Sequence, residues 1–583
     1  MTERLCTIAA LLNPNVYPFC LSNSSVIFSP GEVPYDVLAS TELNPLIQYT
    51  RSAEPPTVSV NMLRSSKRYM TTMSNRQPVA SRRALYGLAS GLVLATAYMG
   101  HQYLMDPIAL DSRGINTNAA GGYDPFGRRM NIMNPERVNA RLREHEQSHF
   151  VERGRGVLRY DMAQLPSNSP IEDDYSDRVV SVALNEAGNA NASSDWMFWG
   201  LYDGHGGWTT SAKLREELIN YVIRQLDAGY SDAGKTLGDN IRRTPSPETI
   251  DLAIKRGFLA LDDEICIHSI NRLLKNPQKG QSPETLAPAV SGSCGLLAFY
   301  DTLSHTLRVA VTGDSRAVLG SKSSSGWTAR ALSVDQTGSN QREADRIRKE
   351  HPGEEDRVIR RGRVLGGLEP TRAFGDARYK WTRDLQDKVA RAFFGRSTPP
   401  ELRSPPYVTA EPEVTTTKVK SGDFLVMGSD GLFEMLSNDE VVSLVVQWME
   451  THPITESSTA ASAKSGGMWD KMFGSKDSTK VVDLTVDQDA MKPPFRHQGA
   501  VLKPTVEDEN VATHLIRNAL GGADREQLSM LLSIPAPQSR RYRDDLTVTV
   551  VFFGDEKAPE NGGIRGNVAA TSGGVGTQEK AKL

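Results

Sequence analysis

The chain has 583 residues, so a usual domain size of roughly 150 residues allows about four domains, a count that large α/β enzymes undercut. Basic and acidic side chains nearly balance, 67 against 70, and this argues against a nucleic-acid-binding chain, which needs a clustered basic surplus. Four cysteines, Cys6, Cys20, Cys266 and Cys294, contain no C-x-x-C pair, which argues against a disulfide scaffold or a structural zinc site.

Residues 1–61 read as an N-terminal extension with Glu3, Glu32, Asp36 and Glu42, and Met62 is a candidate start. From Pro55 to Met105 there is no Asp or Glu, while Arg64, Lys67, Arg68, Arg76, Arg82 and Arg83 lie among Ser, Thr and Met. Over residues 62–83 this is the composition of a mitochondrial transit segment, the alternative being a disordered basic tail. Ala84–Met105 carries no Lys, Arg, Asp or Glu over 22 residues, about 33 Å of helix. It is a candidate transmembrane helix for the mitochondrial inner membrane, or else a cleaved sorting segment. Arg82 and Arg83 before it, with Asp106 and Asp111 after it, would leave the C-terminal part in the intermembrane space, matrix import being the alternative. Residues 106–149 read as a linker.

Residues 150–554 interleave strand-length apolar runs with helical periodicity, as one layered catalytic domain does. A helix is predicted over 209–227, where Leu214, Leu218, Val222 and Leu226 recur every fourth position. A second opens at Ser246-Pro247-Glu248 and carries Ile250, Ile254, Phe258 and Ile265. Residues 454–480 are small, polar and aperiodic, the composition of a mobile insertion. Residues 555–583 read as a disordered tail whose end, Ala581-Lys582-Leu583, is a variant of the S-K-L address read by a peroxisomal import receptor.

The chemistry lies in a recurrence, an apolar run followed by a tight turn that carries Asp. Trp196 to Tyr202 runs into Asp203-Gly204-His205, Val309 to Val311 leads through Thr312-Gly313 to Asp314, and Phe424 to Met427 leads to Asp430; Arg543-Asp544-Asp545 directly precedes the strand-like run Leu546 to Phe553. One such aspartate is ordinarily a turn or cap residue. Several at one sheet edge would repel one another and raise their pKa values unless cations neutralised them. Ligation by oxygen alone suits Mg²⁺ or Mn²⁺ and not zinc, and Gly204 lets the backbone approach an ion closely.

The segments PIEDD (170–174), YDGHGG (202–207), SGSC (291–294), VTGDSRAVLG (311–320), TRAFGD (371–376), GSDGLFE (428–434) and RDDLT (543–547) occur in the order seen in PPM-type, or type 2C, metal-dependent serine/threonine protein phosphatases. READRIRKEHP (342–352), RVLGGLEPTRAFGDARYKW (363–381) and YVTAEPEV (407–414) resemble the mitochondrial pyruvate dehydrogenase phosphatase branch. The resemblance implies an α+β fold, a four-layer α-β-β-α sandwich of two antiparallel sheets flanked by helices. It implies two ions, Mg²⁺ or Mn²⁺, with Asp203 bridging them and the Gly204 carbonyl bound to one. Asp430 and Asp544 would hold the second ion, Glu172 and Asp173 would act through water, and Asp314 would recruit a third, weaker cation. His205 matches the family's general acid; a turn histidine is the alternative. A water nucleophile then suffices, with no phosphoenzyme.

Many family members carry a phosphate-binding arginine four residues before the motif glutamate, where this chain has Asn168. Arg360, Arg361, Arg363 and Arg372 are candidate substitutes, although a charge run is ordinarily a solvated face. The expected partner is a phosphoprotein, the pyruvate dehydrogenase complex by the branch resemblance. A phosphatase tethered to a membrane and acting on other mitochondrial or peroxisomal phosphoproteins is one alternative, and an inactive scaffold is another.

Overall fold

The computed structural model describes residues 48–50, 132–186, 189–235, 242–276, 282–324, 326–393, 398, 401–455, 481–483, 502–555 and 562–572. The principal elements are α1 (Pro135–Arg143), β1 (Gln147–Val151), β2 (Val157–Leu165), β3 (Asp174–Glu186), β4 (Asn189–Tyr202), α2 (Thr209–Lys235), α3 (Pro247–Asp263), β5 (Gly295–Asp301) and β6 (Thr306–Thr312). They continue with β7 (Arg316–Ser323), β8 (Gly326–Ala331), α4 (Gln341–Glu350), β9 (Glu413–Lys418), β10 (Phe424–Gly428), α5 (Asn438–Met449), α6 (Val511–Ala519), α7 (Arg525–Ser533), β11 (Leu546–Phe553) and β12 (Ile564–Gly566).

Within residues 132–572, one sheet has the order β3-β4-β5-β6-β9 and the other β8-β7-β10-β11-β2-β1-β12, with the short strand Val481–Asp483 paired parallel to β8 at its edge. Every other neighbouring pair in these two runs is antiparallel. The apolar runs are unbroken because these strands are buried on both faces. Along β4, Met197, Trp199 and Leu201 turn inward to meet Leu296 and Val309 of their own sheet and Leu319, Leu425 and Met427 of the other. The alternate residues Trp196 and Phe198 face outward, where Trp196 meets Tyr230 of α2 edge-on. On the far side, Val426, Val548 and Val550 pack against Val442 and Val445 of α5 and Leu515 of α6. Helix, sheet, sheet and helix thus stack in the four layers expected.

Both predicted helices form. The first runs on to Lys235, and Ser246 caps the second by accepting from the Thr249 amide. The predicted boundaries need correction at both ends. The domain begins before residue 150, because α1 buries Val138 and Leu142 in the core and β1 pairs with β2. It also continues past 554: β12 pairs with β1, and Asn510 donates to the Ala570 carbonyl at 3.0 Å. Part of the expected disordered tail is therefore fold, since β1 would otherwise present an unpaired edge. Among the described residues no helix is long and apolar enough to cross a membrane. The candidate span 84–105, the transit segment 62–83, most of the insertion 454–480 and the terminal Ala581-Lys582-Leu583 lie outside the described residues.

Candidate metal centre

Register gathers the motif residues at one end of the sandwich. Asp174↔Tyr202, Leu201↔Leu296, Gly295↔Thr312, Arg316↔Gly428, Gly428↔Val548 and Leu546↔Leu165 are all cross-strand partners, so the strand ends that carry the acidic turns lie side by side. Asp203 follows β4, Asp314 joins β6 to β7, Asp430 opens a one-turn helix after β10, and Asp544 precedes β11. Glu172 and Asp173 immediately precede β3.

Carboxylate oxygens of Asp203, Asp314 and Asp430 lie within 4.8 Å of one another. Two of their oxygens, Asp203 Oδ2 and Asp430 Oδ1, are buried with no hydrogen-bond partner among the described residues. Buried acceptors are almost always satisfied, so this pair marks a place built for something that supplies positive charge. Burial, reinforced by Asp173, Asp544 and Asp314, pushes the Asp203 carboxyl well above its ordinary value. Burial and then Asp203 and Asp544 do the same to Asp430. Asp314, buried and bonded by the Cys294 thiol at 3.0 Å, is raised to about 6. An all-oxygen, multiply acidic site fits a hard divalent cation of the Mg²⁺ or Mn²⁺ type.

Glu172 and Asp173 are held beside this trio. A Cβ on Gly204 would lie 2.1 Å from the Glu172 carbonyl oxygen, so glycine here is what lets the 172–173 segment close on the Asp203 turn. Asp173 is buried and accepts from Thr547 at 2.7 Å, while Asp545 fastens the segment by accepting from the Glu172 amide at 2.8 Å. Burial, with Asp545 next, raises both carboxyls. Asp544 was expected as a direct ligand and Asp314 as the outlying one, yet the closest trio holds Asp314. The reason is local: Asp544 is ion-paired with Arg540, and its Oδ1 also accepts from the Asp545 amide at 2.7 Å. Its charge still acts on Asp203 and Asp430.

His205 stands on a two-residue strand, Gly204–His205, paired to Gly292–Ser293, which in turn pairs with Phe374–Gly375. That small sheet sets His205 Nε2 2.7 Å from Asp376 Oδ2. Burial alone would lower the imidazole pKa, but the charge and hydrogen bond of Asp376, with Asp314 and Glu172, raise it. A Cβ on Gly292 would fall 2.2 Å from His205 Nε2 and 2.4 Å from Asp376 Oδ2, so the SGSC glycine is the space in which the pair meets. Asp376 and Arg540 carry no role in the sequence reading; the only available signal was the acidic end of TRAFGD and a basic residue four before Asp544.

Of the four candidate arginines, Arg372 is placed differently from expectation, while Arg360, Arg361 and Arg363 are exposed. Arg372 is only 9% exposed at its side chain, donates to both Glu343 oxygens at 3.0 and 2.7 Å and to the Glu411 carbonyl at 2.9 Å, and braces the fold. That corrects its assignment to substrate, because its charge is already answered inside the domain. Arg360 donates to the Leu365 carbonyl at 2.8 Å and Arg363 pairs with Glu369 at 2.5 Å. Arg361 is exposed with φ of 52°.

A carboxylate-lined cation centre at the rim of a double-sheet sandwich is the class of site that fold and geometry define. Residues 166–466 match the family described as Protein phosphatase 2C. The chain is 45% identical over 445 residues to mitochondrial pyruvate dehydrogenase (acetyl-transferring) phosphatase 1 of Saccharomyces cerevisiae, covering 73% of this chain and 74% of that protein. It is 40% identical to a protein phosphatase 2C homologue of Schizosaccharomyces pombe, covering 72% of this chain and 85% of that one. It is 31% identical to mitochondrial pyruvate dehydrogenase phosphatase 2 of Homo sapiens, covering 73% and 84%. This chain belongs to the protein phosphatase 2C family and is a protein serine/threonine phosphatase.

Proposed function

We propose that this protein hydrolyses phosphoserine and phosphothreonine esters on the pyruvate dehydrogenase complex of mitochondria, using a pair of Mg²⁺ or Mn²⁺ ions. The observation that carries the reading is the convergence of Asp203, Asp314 and Asp430 with two buried oxygens unpaired. Asp203, the Gly204 carbonyl, Asp430 and Asp544 would hold the pair, Glu172 and Asp173 would orient water around it, and Asp314 would serve a third cation. When bound, such ions supply a water of lowered pKa and neutralise phosphoryl oxygens.

The protein's own groups supply the rest. His205, whose pKa the charge and hydrogen bond of Asp376 raise, would deliver a proton to the departing seryl or threonyl oxygen. The described cysteines do not offer a competing covalent route: Cys266 and Cys294 are buried, and burial pushes both thiols well above their ordinary pKa, leaving little thiolate. The substrate and the mitochondrial setting are supported by the relatives from yeast and human and by the acid-free basic segment before Ala84.

The test is phosphate release by the full chain with Mn²⁺ and after chelation. Turnover of p-nitrophenyl phosphate should require the metal and fall by about a hundredfold or more in Asp203→Asn and in Asp430→Asn. Equal rates after chelation contradict the mechanism. Equal rates on phosphorylated pyruvate dehydrogenase and an unrelated phosphoprotein contradict the narrower substrate.

A further inference from the structure

We propose that Arg540 binds the phosphoryl group of the substrate, supplying the guanidinium that position 168 lacks; this rests on the phosphatase reading above. Arg540 lies on the single-turn 3-10 helix Gln538–Arg541, which is anchored against the start of the metal centre. Buried Ser539 donates to the Ser167 carbonyl at 2.5 Å, and Arg543 donates to the Pro166 carbonyl at 2.7 Å. The turn is therefore fastened to the two residues preceding Asn168. Asn168 itself reaches Glu172 at 3.3 Å through an uncharged amide, which cannot answer a phosphate dianion.

Arg540 can. Its guanidinium pairs with Asp544, which sets it beside the carboxylate cluster, and its charge also acts on Asp203, Glu172 and Glu434. Its side chain remains 45% exposed, so a ligand entering from solvent meets it. Arg372 differs in being buried on Glu343; Arg363 is as exposed as Arg540, but its ion pair is with Glu369, whereas that of Arg540 is with Asp544 of the carboxylate cluster. A guanidinium presents five donors in a planar fork, and the contact with Asp544 leaves part of that fork for a second oxyanion. Cations drawn to the same carboxylates compete with Arg540 for Asp544, and a phosphoryl group arriving there offers the freed donors a matched acceptor.

The experiment uses the full chain, with Arg540→Ala, Arg540→Lys and the neighbouring exposed Arg541→Ala. Inorganic phosphate binding to the Mn²⁺-loaded protein is measured by calorimetry, Mn²⁺ binding is measured separately, and KM and kcat are taken for p-nitrophenyl phosphate. Arg540→Ala should weaken phosphate binding and raise KM by about tenfold, the scale of one charge-assisted hydrogen bond, with Mn²⁺ affinity unchanged or tighter. Arg540→Lys should recover part of the loss, and Arg541→Ala should match wild type. Phosphate affinity of Arg540→Ala within twofold of wild type overturns the proposal. So does a parallel loss of Mn²⁺ affinity and thermal stability, which would make Arg540 a brace for Asp544. Wild-type protein without turnover would instead strike the phosphatase reading, and the phosphate calorimetry would still judge Arg540.

Discussion

Glu343 shows how a single carboxylate decides what an arginine can do. Its side chain is 5% exposed and accepts from Arg372, Arg346 and Thr371, the last at 2.8 Å. Burial would raise its pKa, but the two guanidiniums overcome this and hold it at about 2 against an ordinary 4.5. Because the folded value lies below the unfolded one, this pairing stabilises fully above about pH 4.5 and is lost as pH falls towards 2. Glu343→Gln should cost about 3 kcal/mol at pH 7 by leaving buried Arg372 with only its longer pairing to Glu413 at 3.5 Å. Urea unfolding at pH 7 and pH 3 checks it: the gap between wild type and variant should narrow at the lower pH. A constant gap would assign the cost to packing alone.

At the level of elements, the strand Phe374–Gly375 matters more than its length suggests, because Asp376 hangs from it and orients His205. It is latched from outside the metal centre. Asp262, near the end of α3, accepts from the Gly375 amide at 2.9 Å and from Lys380 at 2.7 and 2.8 Å, and Lys380 also donates to the Ala373 carbonyl at 2.7 Å. The helix widens into a π turn over Glu264–His268, where the Cys266 carbonyl accepts from the Trp381 indole at 2.7 Å. Lys380→Met should destabilise by about 3 kcal/mol, since it strands a buried carboxylate. It should also lower kcat while leaving Mn²⁺ affinity within twofold, because the latch holds Asp376 and no ligand aspartate. If Mn²⁺ affinity fell together with kcat, the latch would be supporting the whole rim.

For the molecule as a whole, the acidic rim is a cost that the fold carries until cations arrive. Burial, and then neighbouring aspartates that include Asp544, raise the pKa values of Asp173, Asp203 and Asp430, so the ionised cluster opposes folding. Saturating Mn²⁺ at a hundred times its dissociation constant should add about 2.7 kcal/mol, which for a domain of this size is roughly 3 °C in Tm. The double variant Asp203→Asn, Asp430→Asn should melt higher than wild type in chelator and show no Mn²⁺ shift. A lower melting point in chelator would mean that these aspartates stabilise the fold in their own right, contrary to their mutual repulsion.

Much of this is legible in the sequence alone. Apolar runs ending in Asp-bearing turns are local features, and a strand buried on both faces must be apolar throughout, so Asp203, Asp314, Asp430 and Asp544 announced themselves as strand-end carboxylates. The two helical stripes were legible for the same reason: helical period and caps are written within a few residues. The cations were not. Arg372 and Arg540 look alike in a sequence, yet one is buried on Glu343 and the other is half exposed and paired with Asp544, because burial is set by which distant segments stand beside a side chain. His205 and Asp376 meet across 171 residues only because three short strands pair, with Gly292 leaving room between them. The limits of the domain were likewise tertiary facts: residues 562–572 have the composition of a tail, and what makes part of them a strand is the free edge of β1, which needed a partner for its backbone hydrogen bonds.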